Sequence, residues 1–80
     1  MNARVFVRLK REVSDPAGTA IREALSTLHY DAVKEVRVGK IFDLELAESD
    51  AQRARAELEK IARDVLSNPT VEEFTFEIDE

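Results

Sequence analysis

The sequence predicts an α+β domain in which an antiparallel sheet carries two helices on one face, in the β-α-β-β-α-β order of ferredoxin-like folds. Three observations predict it: apolar residues alternate near both ends of the chain, two amphipathic stretches at helical spacing lie between, and the alternating middle is interrupted by one glycine.

The first strand is read over Ala3 to Lys10, with Ala3, Val5, Val7 and Leu9 on one side and Arg4, Phe6, Arg8 and Lys10 on the other. Phe6 is the misfit on the polar side, and it marks either an exposed aromatic or a spot that a second subunit covers. Asp15-Pro16 opens a helix: the aspartate accepts an orphan backbone N–H, and proline at the first helical position forfeits a bond it would not make. Ala20, Ile21, Ala24, Leu25 and Leu28 then follow at helical spacing, which predicts a helix over 16–28. Gly18 in its first turn costs about 1 kcal/mol of helix propensity against alanine and implies close packing there or a frayed start.

Val36 and Val38 precede Gly39-Lys40, and Phe42, Leu44 and Leu46 follow, so two strands are expected to meet at Gly39. A hairpin turning on Gly39-Lys40 with positive φ at the glycine is the favoured geometry, and one long strand bent by a bulge is the alternative. Ser49 and Gln52 form a capping box, and Ala51, Ala54, Leu58, Ile61, Ala62 and Val65 make one apolar stripe. That helix should stop near Ser67, because Asn68 tolerates a left-handed cap and Pro69 cannot continue a helix. Phe74, Phe76 and Ile78 alternate with Glu73, Thr75, Glu77 and Asp79, giving a last strand with one apolar and one acidic side.

The 80 residues form one domain, read as 1–80. A fold this small hides only about 60–65% of its unfolded surface. There is no cysteine for disulfides and a single histidine, His29, so a metal site is not expected and self-association is the remaining device for extra burial. Seventeen acidic against twelve basic residues give a net charge of −5, which argues against nucleic acid as a partner. No apolar run approaches the roughly 20 residues a bilayer requires, and Met1-Asn2-Ala3-Arg4 enters a strand pattern without a signal-peptide core. A cytoplasmic protein without a membrane partner is expected.

Catalytic equipment is missing by the same reading. Thioester chemistry needs a cysteine, and a serine nucleophile needs a histidine or lysine base held by a third group. His29 sits at a helix end beside Tyr30, where capping or packing explains it. Two glycines in all make no phosphate loop, and Gly39-Lys40 is followed by Ile41 rather than serine or threonine. Glu72, Glu73, Glu77, Asp79 and Glu80 read as a solvated acidic edge that discourages unwanted strand pairing. Arg37 and Lys40, flanking Gly39, are cations near a turn that either suit a partner carboxylate or phosphate or mark a plain exposed turn.

Leu9-Lys10, Val13, Asp15-Pro16, Gly18, Ala20-Ile21 and Ala24-Leu25 resemble the opening of the PurS family. Val33, Val36-Arg37-Val38-Gly39-Lys40, Phe42, Leu44 and Leu46 are similar to its middle, and Leu66, Asn68-Pro69, Val71-Glu72, Phe74 and Glu77-Ile78 to its end. The resemblance covers essentially the whole chain. It departs at His29, where the family usually has glycine, and at Thr70, where it has an aliphatic residue. The resemblance implies a small subunit of phosphoribosylformylglycinamidine synthase, a glutamine-dependent, ATP-consuming ligase of purine biosynthesis. Its implied partners are a second copy of itself in a dimer or tetramer, the large synthetase subunit PurL and the glutaminase subunit PurQ. ATP and magnesium would belong to the large subunit, with no cofactor and no catalytic residue in this chain. Phe6, Arg37, Gly39, Lys40, Asn68 and Pro69 are the expected subunit contacts. A regulatory domain binding a small metabolite at a dimer interface is the rival reading, and it would show a ligand-induced thermal shift.

Overall fold

The computed structural model describes residues 1–79; Glu80, placed above on the acidic edge, lies outside them. Its elements are β1 (Asn2–Leu9), α1 (Pro16–Thr27), β2 (Gly39–Glu45), α2 (Ala51–Ile61), a π turn that prolongs α2 (Ala62–Leu66) and β3 (Glu72–Asp79). The sheet has the order β2-β1-β3, with both outer strands antiparallel to β1. The α+β, ferredoxin-like class stands, with one strand fewer than the sequence pattern implied.

β1 is the central strand, and its inward residues Ala3, Val5 and Val7 are all buried. Val5 lies between Phe42 of β2 and Phe76 of β3, and Ala3 lies between Leu44 and Ile78, so these two rows of the sheet are apolar across all three strands. α2 closes this face. Leu58 and Ala62 join Ala3, Val5 and Val7 in one core, around which Phe42, Leu44, Leu46, Leu66, Phe74, Phe76 and Ile78 pack. Burying a leucine such as Leu58 completely stabilises the fold by about 1.5–3 kcal/mol.

Three local expectations change. The strand expected before Gly39 does not form: β2 begins at Gly39, and residues 36–38 run as an irregular segment. Gly39 is not a positive-φ turn residue. It is glycine because a Cβ there would stand 2.9 Å from the Val7 carbonyl oxygen of the paired strand. The cap of α2 is Asp50 rather than Ser49, its carboxylate accepting from the Gln52 N–H at 2.9 Å. Finally, Val65 leaves the apolar stripe. The π turn, with i→i+5 bonding, rotates the end of the helix so that Leu66 packs against the core and Val65 is 75% exposed.

α1 ends as its sequence departs from the expected glycine. His29 has φ 69°, and the Tyr30 N–H bonds to the Leu25 carbonyl while the His29 N–H bonds to that of Ser26, a Schellman arrangement that glycine fits without a Cβ penalty.

Candidate assembly surface

α1 contributes only Gly18 to the buried set, and no residue of α1 belongs to the core. The chain runs back along it after the Schellman turn, held by Arg22 Nε donating to the Lys34 carbonyl at 2.8 Å and by the Val36 carbonyl against Gly18. Residues 16–38 therefore form an arm on the sheet. The molecule measures 49 × 25 × 14 Å with a radius of gyration of 16.1 Å, whereas a compact domain of this length has about 12 Å.

The arm's apolar stripe is open. Ile21 is 45% exposed and Leu28 66%, Ala20 and Ala24 are exposed, and Tyr30 and Val33 continue the patch along the return segment. A second uncovered surface lies on the sheet opposite α2, where Phe6 is half-buried between Ile41 of β2 and Thr75 of β3. Apolar area left uncovered on two sides of a small chain marks association surfaces.

The expected contact residues fall into three groups. Gly39, Lys40, Asn68 and Pro69 come together at the end of the sheet where β1 finishes, and Glu72 links them: its Oε1 accepts from the Asn68 N–H at 2.7 Å while Oε2 stands 3.9 Å from Lys40 Nζ. The Asn68 side chain closes its own turn by accepting from the Thr70 N–H. Phe6 lies on the open sheet face. Arg37 is different, because its Nη2 donates to the carbonyls of Lys10 and Val13, both at 2.9 Å, so that one of its nitrogens is engaged within its own chain. Asp15, which sequence reasoning placed only as a helix cap, accepts from Gly18 N–H through Oδ1 at 2.9 Å and from Val38 N–H through Oδ2 at 2.7 Å. Those two bonds, the Gly18 one foremost, hold its carboxyl below the ordinary value of 3.8 against the opposing effect of burial. The signal in the sequence was half visible: Asp15-Pro16-x-Gly18 gives the cap, and nothing local gives the bond to Val38.

Among the described residues no three His, Cys, Asp or Glu side chains are grouped to hold a metal ion, and no helix is long and apolar enough to cross a membrane. A three-stranded sheet covered on one face, with an uncovered apolar arm, is a module built to be completed by other chains. The chain belongs to the PurS family described as phosphoribosylformylglycinamidine (FGAM) synthase, whose model matches residues 2–80. The phosphoribosylformylglycinamidine synthase subunit PurS of Synechocystis is 39% identical over 96% of this chain and 77% of the relative. The Bacillus subtilis PurS structure superposes with a TM-score of 0.89 at 32% identity, covering 99% of this chain and 98% of that one. A chain in the structure of PurLQS from Thermotoga maritima matches with a TM-score of 0.86 at 29% identity, covering 95% of this chain and 93% of that one.

Proposed function

We propose that this chain is the joining subunit of a cytoplasmic phosphoribosylformylglycinamidine synthase, self-associating and holding a PurQ glutaminase against a PurL synthetase without contributing a catalytic group. The observation that carries this reading is the family match across residues 2–80 together with the similarity to a chain of a PurLQS assembly. The uncovered arm and open sheet face supply surfaces for such contacts. Glutamine hydrolysis and ATP-dependent amide activation, with their magnesium, are assigned to the partner subunits. Ammonia released into water is protonated and diluted, so a subunit that docks the two active sites raises the effective concentration of the nucleophile by geometry alone.

Within this reading Phe6 and the Gly39-Lys40 and Asn68-Pro69 turns touch other subunits, and Arg37 acts from beneath by holding the loop at 10–13. Turns fixed at the end of a sheet are rigid docking points. The reconstitution of PurL-type and PurQ-type subunits with and without this chain tests the proposal. The chain should restore the glutamine-dependent rate, leave the ammonia-dependent rate unchanged, and co-elute with both subunits. An equal glutamine-dependent rate in its absence would refute the coupling role. Lys40→Ala with Asn68→Ala should weaken co-elution, and an unaltered complex would remove those turns from the contact.

A further inference from the structure

The joint between arm and sheet carries more connections than a helix start requires. Asp15 is 6% exposed and is the one buried charged side chain among the described residues. One oxygen caps α1 and the other reaches across 23 positions to the N–H of Val38, just before β2. Arg37, its neighbour in that segment, ties the same stretch to Lys10 and Val13, just after β1. Gly18 adds a steric stop, since a Cβ there would collide with the Val36 carbonyl oxygen. The chain leaving β1, the start of α1 and the chain entering β2 thus meet with no buried side-chain polar atom left unpartnered and with the Gly18 and Val36 backbones in close contact.

We infer that this elbow is a fixed joint and that Asp15 is the positioning residue setting the angle at which the arm leaves the sheet. The inference rests on the joining role to the extent that the angle matters for assembly. An aspartate is required because a carboxylate offers an acceptor to each of the two N–H groups, whereas asparagine has one oxygen and would turn its NH₂ toward a second donor. Asp15→Asn therefore keeps the size and one bond while breaking the tie between α1 and residue 38. Arg8, Lys40 and Glu72 line the cleft on one side of Asp15, and Arg22, Glu35 and Arg37 the cleft on the other, so four cations surround three carboxylates, Asp15 included.

The chain has no cysteine, so Ser26→Cys on α1 and Glu57→Cys on α2 are unique attachment points for spin labels. With labelled chain diluted into unlabelled chain, the intramolecular distance distribution should be single and narrow in the parent. In Asp15→Asn it should shift and broaden while the far-ultraviolet circular dichroism keeps its helical signal. Gly18→Ala, which forces residues 36–38 away with Asp15 intact, should shift it too and decides the matter if Asp15→Asn does not fold. Distributions in folded variants that match the parent would overturn the fixed joint. A shifted distance with an undiminished glutamine-dependent rate in the reconstituted enzyme would instead contradict the joining role and leave the joint standing.

Discussion

The two helices carry apolar stripes of similar length, and the chain buries only one of them. Leu58 of α2 and Ala62 of the π turn that prolongs it are sealed in one core with β1, whereas Ile21 and Ala24 of α1 and Leu28 at its end lie open on the arm. The difference is not one of sequence character. It follows from the connections: α2 crosses over the sheet from one edge strand, β2, to the other, β3, which run parallel to each other, while α1 is tied at its start to residue 38 and runs away from the core. An amphipathic pattern thus declares that a face will be covered and leaves open by which chain.

The sharpest way to break this comparison is to weaken the buried side of it. Leu58→Ala should destabilise the fold by about 2–5 kcal/mol, because the side chain is fully enclosed and its loss leaves a cavity. Urea denaturation followed by circular dichroism measures it, and a loss under about 1 kcal/mol would mean that α2 is no better packed than the arm.

The elbow supplies the next contrast. The Asp15 pKa is lowered on folding, so the stability it contributes is fully present above the ordinary value of 3.8 and is lost as pH falls through the lower folded value. Melting midpoints between about pH 2 and 5 should fall with acid in the parent and fall less steeply in Asp15→Asn. Parallel profiles would show that the carboxylate is not what titrates there.

The smallest effect is at the arm's far end and has the opposite sign. His29→Gly should raise stability by roughly 1 kcal/mol, because the left-handed conformation penalises a Cβ. Thermal melts of the two proteins at equal concentration read it.

How much of this was legible depended on the range of the interaction that decides each feature. β1, β3, α1 and the body of α2 follow from periodicity and caps within a few residues, and their limits were readable to a residue or two. Val36 and Val38 mimicked a strand, but residues 36–38 are claimed by Asp15 and Arg37, more than twenty positions from their partners. Leu66 in place of Val65 depends on a π turn that spacing does not announce. The candidate contacts were legible as turns and one misplaced aromatic, yet the link through Glu72 and the two bonds from Arg37 Nη2 to the carbonyls of Lys10 and Val13 needed the fold. Self-association was inferable from length and the lack of cysteine; that the arm is the surface left uncovered was not.

The most direct test of the arm as an association surface is the solution mass by sedimentation equilibrium, for the parent and for Leu28→Asp. The account predicts a multiple of 9.1 kDa for the parent and a shift toward the single chain for the variant, with its circular dichroism unchanged. A parent that sediments at 9.1 kDa, or a variant that keeps the parent's mass, would contradict it.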